Sequence, residues 1–214
     1  MSPMPVLPVV RLAGSQDPSS PLVVLLHGRG SDEAGILPLA SVLPAGATYA
    51  ALRAPISEGG GYAWFANRGI GRPVAGSLRE TMDWFTAWLQ GVSKGRPVVL
   101  VGFSGGAAFA GGLLLDDPDR YAGTAILYGT LPFEAGLSVE PGRLAGAKVI
   151  VAHGDTDEVM PPELMSRTWQ YLTASSGAEV TAVRDPGGHG ISKAVAERLG
   201  AWIADTLGLQ APQS

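Results

Sequence analysis

The residues of this chain best suited to chemistry are one serine, three histidines and a short run of carboxylates. Ser104 is the centre of Gly102-Phe103-Ser104-Gly105-Gly106, directly after the apolar run Val98-Val99-Leu100-Val101. This G-x-S-x-G spacing suits a nucleophile elbow. There the serine occupies a crowded strand-to-helix turn, so the residues two before and two after it must lack a Cβ. Ala107 and Ala108 follow and would open a helix whose free N–H groups point toward developing negative charge. In a chain with 30 glycines the pentapeptide alone could be a turn with an incidental serine. Its placement between a strand-like and a helix-like run makes it specific.

A serine hydroxyl attacks only when a base takes its proton. Behind an elbow of this kind the chain order is serine, acid, histidine. His27 precedes Ser104, and His153 leaves little room for an acid, so His189 in Pro186-Gly187-Gly188-His189-Gly190 is the candidate base. Otherwise it is a solvent-facing loop residue. The acid belongs in a loop after a strand. His153-Gly154-Asp155-Thr156-Asp157-Glu158 offers three carboxylates after the run Ala147 to Ala152. Residue types leave Asp155 and Asp157 both open, although Asp155 could instead brace the loop by accepting backbone N–H groups. Asp185 is a weaker rival, close to His189 and outside that loop. For the oxyanion, His27-Gly28-Arg29-Gly30 follows the first core run, where one backbone donor is expected. The N–H of Gly105 would be the other. A plain strand-to-loop turn is the alternative for the 27–30 segment.

These groups need a frame. Leu22 to Leu26, Ala47 to Leu52, Pro97 to Val101, Gly123 to Tyr128 and Ala147 to Ala152 are short apolar runs, with Val180 to Val183 a shorter one. Unbroken apolar runs alternating with helical patterns predict a mainly parallel sheet with helices on both faces. Val6 to Leu12 suits an antiparallel edge strand, where prolines are tolerated. Leu78, Met82, Phe85 and Leu89 form one helical stripe, and Ile191, Val195, Leu199 and Ile203 another. Pro161-Pro162 would start a third helix with Leu164, Thr168 and Leu172 inward. Asp32 could cap a helix to about Leu43 that Pro38 kinks or shortens. Pro55 to Gly76, with Tyr62, Trp64 and Phe65, reads as a long excursion. Gly129 to Gly146 reads as another, with Leu131, Phe133 and Leu137 exposed or half-buried. Loops that long are usually functional.

Composition narrows the class. A chain of 214 residues suits one domain spanning residues 1–214, and 46% hydrophobic residues sustain a core without disulfides or metal. A net charge of -4 gives no basic excess to neutralise phosphates, so nucleic acid is not expected as a partner. The absence of cysteine excludes a thiol nucleophile and thiolate zinc sites. Met1 to Val10 has no basic region and is broken by prolines, unlike a secretory signal. No apolar run approaches the roughly 20 residues of a membrane span. A soluble cytoplasmic protein without metal or cofactor is the expectation.

Five segments together resemble the phospholipase/carboxylesterase family of α/β-hydrolases, which includes the acyl-protein thioesterases. They are Leu26-His27-Gly28-Arg29-Gly30, Ala63-Trp64-Phe65, Gly102-Phe103-Ser104-Gly105-Gly106, His153-Gly154-Asp155-Thr156-Asp157 and Gly187-Gly188-His189. They stand in family order across most of the chain. The resemblance implies an α/β-hydrolase fold without a large cap, and a Ser104, Asp157, His189 triad. It implies oxyanion donors at Arg29 and Gly105, and a pocket bordered by Trp64, Phe65 and Met160. It implies hydrolysis of a small-molecule ester or thioester. Two positions depart from the family pattern. Glutamine is common where Gly105 stands, and an apolar residue where Arg29 stands. A cation there could favour substrates bearing a carboxylate or phosphate, but the favoured expectation is that the Arg29 side chain simply points into solvent.

Other readings are a dienelactone-hydrolase-like small-ester hydrolase and a non-catalytic binder on the same scaffold. A binder has no need of elbow, acid, base and oxyanion segments in register. Exposed aromatics in the two excursions would also suit a homodimer.

Overall fold

The computed structural model describes residues 7–210. β1 (Val10–Gly14), β2 (Leu22–Leu26) and β3 (Thr48–Leu52) form first, with the short helix α1 (Glu33–Ile36) between the last two. Two small antiparallel hairpins follow, β4 (Ile56–Glu58) with β5 (Gly61–Ala63) and β6 (Asn67–Gly69) with β7 (Arg72–Pro73). Then come α2 (Ala75–Ser93), β8 (Val98–Phe103), α3 (Gly105–Asp116), β9 (Gly123–Leu127), β10 (Lys148–Gly154), α4 (Pro162–Gln170), β11 (Glu179–Asp185) and α5 (Lys193–Leu207).

Seven strands make one sheet in the order β1-β3-β2-β8-β9-β10-β11. β1 is antiparallel to β3, and every other neighbouring pair is parallel. The apolar runs explain the burial. Leu22, Val24 and Leu26 face one layer, with Leu78, Met82, Phe85 and Leu89 of α2. Val23 and Leu25 face the other, with Val195, Leu199 and Ile203 of α5. A strand covered on both sides has no use for alternating polar residues. Each of those buried side chains contributes about 1.5–3 kcal/mol of transfer free energy.

Several boundaries differ from expectation, each for a local reason. Asp32 does cap a helix, accepting the Gly35 N–H at 2.9 Å. Yet α1 ends at Ile36 and gives way to 3-10 turns over Leu37–Val42, because Pro38 lacks the N–H an α-helix needs. The edge strand starts at Val10 and reaches Gly14, and Val6 lies outside the described residues. Ile191 precedes α5, which begins after Ser192 caps it by accepting the Val195 N–H. The 55–76 excursion is folded into its two hairpins. In the 129–146 excursion Leu131 is fully buried rather than exposed.

The chain runs from β2 to β3 on one side, and β8 joins β2 on the other. The strand order reverses there, and such a reversal opens a crevice at the carboxyl ends of the strands. The segments after β2, β8, β10 and β11 all lie at that end.

Candidate active site

Ser104 follows β8 and precedes α3 with φ 54° and ψ −116°, in the positive-φ region that bulky residues avoid. Holding a non-glycine residue so costs about 1–3 kcal/mol, and its neighbours enforce it. The Ser104 N–H donates to the Leu127 carbonyl at 2.9 Å, tying the elbow to β9. A Cβ on Gly102 would lie 2.3 Å from the Gly106 carbonyl oxygen, and one on Gly106 would lie 2.1 Å from that of Leu26. The two flanking glycines are therefore steric requirements of this turn.

His189 Nε2 is 2.9 Å from Ser104 Oγ, and His189 Nδ1 is 2.8 Å from Asp157 Oδ2. A carboxylate only accepts, so Nδ1 carries the proton and Nε2 is left to accept from the serine hydroxyl. Asp157 Oδ1 accepts the N–H groups of Val159 at 2.9 Å and Met160 at 3.0 Å. Burial pushes the Asp157 carboxyl up. The bonds from His189, Met160 and Val159 outweigh it and hold the group below its ordinary 3.8.

The neighbouring carboxylates are engaged elsewhere. Asp155 points outward and pairs with Arg184, which lies over the Trp169 ring. Asp185 is buried and accepts the hydroxyls of Tyr128 and of Ser192, the latter at 3.1 Å. The other two histidines brace strand ends. His27 takes the Ala54 N–H on Nε2 at 3.0 Å and gives its Nδ1 proton to the Gly28 carbonyl. His153 gives its Nε2 proton to the Gly129 carbonyl at 3.3 Å. Burial lowers both imidazoles from 6.5, so both stay neutral at neutral pH.

The 28–31 loop passes beside the elbow. A Cβ on Gly105 would lie 3.2 Å from the Arg29 nitrogen, so the two segments touch. Neither the Arg29 nor the Gly105 main-chain N–H has an acceptor among the described residues. The loop is stitched to β5 by Gly30 N–H to Tyr62 O at 2.9 Å and Tyr62 N–H to Ser31 O at 3.0 Å. The Arg29 side chain does not point idly into solvent. Nη1 donates to the Phe65 carbonyl at 3.0 Å and Nη2 to Glu58 Oε1 at 2.6 Å.

Ser104 and His189 open on a cleft of about 420 Å³. Phe65 and Met160 line it, together with Ile36, Ile70, Phe103 and Val159. Arg29 is the one Asp, Glu, Lys or Arg among the described lining residues. Trp64, expected beside Phe65 at the pocket, is not on its wall. It is buried behind, stacked on Phe109 at 4.7 Å and donating its indole N–H to the His27 carbonyl at 2.8 Å. Ile70, 53% exposed, was not among the expected lining residues, and its only signal in the sequence is an isoleucine between Gly69 and Gly71.

The parallel sheet, the elbow and the loops converging at its carboxyl end define an α/β-hydrolase. The chain belongs to the phospholipase/carboxylesterase family, whose model matches residues 8–206, and is by class a carboxylic ester hydrolase. It is 26% identical over 195 residues to MhqD of Bacillus subtilis (strain 168), covering 88% of this chain and 95% of that protein. A carboxylesterase from Mesorhizobium loti shares the fold at TM-score 0.81 with 27% identity, over 94% of this chain and 98% of that one. A Bacillus cereus carboxylesterase shares it at TM-score 0.81 with 24% identity, over 93% and 94%.

Proposed function

We propose that this chain, as a single domain, hydrolyses small carboxylic esters or thioesters through a Ser104 acyl-enzyme. His189 Nε2 takes the Ser104 hydroxyl proton as Oγ bonds to the substrate carbonyl carbon, and Asp157 steadies the imidazolium. The Arg29 and Gly105 N–H groups receive the oxyanion, each such donor being worth about 3 kcal/mol in the transition state. His189 then passes its proton to the departing alcohol or thiol. Water enters and loses a proton to the same nitrogen as it bonds to the acyl carbon. The acyl–Oγ bond then breaks, Ser104 Oγ takes that proton back from His189, and the acid is released.

The observation that carries this reading is the unbroken relay Ser104 Oγ, His189, Asp157 at the base of an apolar cleft. The cleft volume of about 420 Å³ lies toward the lower end of the roughly 300–1,000 Å³ usual for small-molecule sites. That supports compact esters over long acyl chains. Arg29, the one Asp, Glu, Lys or Arg among the described lining residues, is already engaged by the Phe65 carbonyl and Glu58, which supports uncharged substrates.

Ser104→Ala is expected to lower kcat on p-nitrophenyl acetate by about 10⁵–10⁶-fold and to abolish covalent labelling by a fluorophosphonate. Full hydrolysis by the folded variant would overturn the mechanism. Absence of labelling in the folded parent would instead favour a binding protein. A panel of short esters, long-chain esters, lysophospholipids and acyl thioesters should rank the short esters first.

A further inference from the structure

The loop that carries His189 has no regular secondary structure. Gly187, Gly188 and Gly190 surround the histidine, and glycines resist fixation more than any other residue. Main-chain bonds hold its middle, with Thr156 N–H on the Gly187 carbonyl at 3.1 Å and Gly190 N–H on that of Gly188 at 3.1 Å. Its ends are held differently. Asp185 is the last residue of β11 and Ser192 the N-cap of α5, so the loop runs between them. The Asp185 carboxylate accepts Ser192 Oγ on Oδ1 and the Tyr128 hydroxyl on Oδ2. One buried side chain thus pins both ends of the loop to a third element.

That third element also touches the nucleophile. Tyr128 follows β9 with φ 49°, a conformation costly for an aromatic residue. It is held there by its N–H on the Ala152 carbonyl at 2.8 Å. The residue before it, Leu127, accepts the Ser104 N–H. The Tyr128 ring lies edge-on to His189 at 6.4 Å and against Phe103 at 6.0 Å. Elbow and base loop are therefore both anchored on Leu127-Tyr128.

The geometry points to Tyr128, Asp185 and Ser192 as a clasp of positioning residues that aims His189 at Ser104. None of the three lines the cleft, so the clasp acts on the chemical step and not on substrate binding. Burial, and then the bond to Asp185, push the Tyr128 hydroxyl up to about 12, which keeps it a protonated donor throughout the working range. This inference rests on His189 being the base.

The test measures kcat and KM for p-nitrophenyl acetate in Tyr128→Phe, Asp185→Asn and Ser192→Ala, with thermal unfolding to verify folding. Displacing a reacting group by about 1 Å costs up to about 100-fold. Tyr128→Phe and Asp185→Asn should accordingly lose about 10- to 100-fold in kcat, with KM within about twofold. The low-field proton resonance of His189 Nδ1 should broaden in both. Ser192→Thr, which keeps the hydroxyl and the cap, should restore what Ser192→Ala loses. Ser104→Ala runs alongside. If it stays active, the acyl-enzyme reading falls and the clasp with it. If it is dead while folded Tyr128→Phe keeps its kcat within twofold and its His189 resonance, the clasp alone is overturned. Should Asp185→Asn not fold, Tyr128→Phe and the Ser192 pair decide.

Discussion

Two loops meet over Ser104, and they differ in how far side chains hold them. The 28–31 loop is fastened by main-chain bonds to β5 and by an Arg29–Glu58 pair at the surface. The group proposed to act from it is a main-chain N–H, which no substitution other than proline removes. The 186–190 loop has main-chain bonds at its middle, but its ends are joined through the side chains of Tyr128, Asp185 and Ser192. What it presents to Ser104 is itself a side chain. Rigidity on the first side is a property of the backbone, and on the second it depends on residue identity. The first side can therefore carry a charged residue such as Arg29. The second should tolerate only changes that keep the bonding groups of its fastening side chains.

The largest effect expected from that contrast is at Asp157. Asp157→Asn presents an amide where Nδ1–H needs an acceptor, which favours the wrong imidazole tautomer. We expect kcat on p-nitrophenyl acetate to fall about 10⁴-fold with the fold intact. Asp155→Asn, two residues away and paired outward with Arg184, should stay within about twofold of the parent. Comparable losses in the two variants would break the distinction between an aimed side chain and a bracing one.

A smaller effect concerns stability and sharpens the contrast from the backbone side. His27 and His153 both titrate below 6.5 when folded, because burial disfavours their charged forms. Protons therefore bind the unfolded chain more readily. Their stabilisation is complete above pH 6.5 and is lost as pH falls from there toward the lower folded values. Asp157 adds its own loss only further down, below about 3.8. Urea midpoints should fall between pH 7.5 and pH 5.5. His27 is bonded through both ring nitrogens, so protonation must break the Ala54 N–H bond to Nε2. Hydrogen exchange at the Ala54 amide should therefore quicken over the same range beyond its intrinsic pH dependence. Unchanged midpoints would mean these histidines are not buried neutral.

Much of this was legible because it is local. The strand runs, the elbow glycines and the Asp32 cap each follow from a few adjacent residues obeying one steric or hydrogen-bonding rule. What was not legible joins distant positions. Tyr128 and Asp185 are 57 residues apart, and nothing in either neighbourhood announces the other. Asp155 and Asp157 have the same side chain, and only the reach of His189 and the N–H groups of Val159 and Met160 separates them. Trp64 and Phe65 illustrate the same limit. Both are large aromatics just after β5, and residue type alone does not say that Phe65 lines the cleft while Trp64 packs behind it on Phe109.

The smallest effect expected is at Arg29, and it bears directly on why a cation is tolerated there. The guanidinium spans the cleft wall to the Phe65 carbonyl and Glu58, with both charged side chains partly in solvent. Exposed pairs of this kind are worth about 0–1 kcal/mol. Arg29→Ala keeps the main-chain N–H and the stitches through Gly30 and Ser31, so kcat should fall by no more than about fivefold, the rate equivalent of 1 kcal/mol. The comparison that matters is between substrates. A p-nitrophenyl acyl ester and its analogue with a terminal carboxylate should suffer equally, because the guanidinium is already occupied. A selective loss on the anionic ester would show that Arg29 leaves Glu58 to receive the substrate. The 28–31 loop would then also work through a side chain, and its difference from the 186–190 loop would be one of degree.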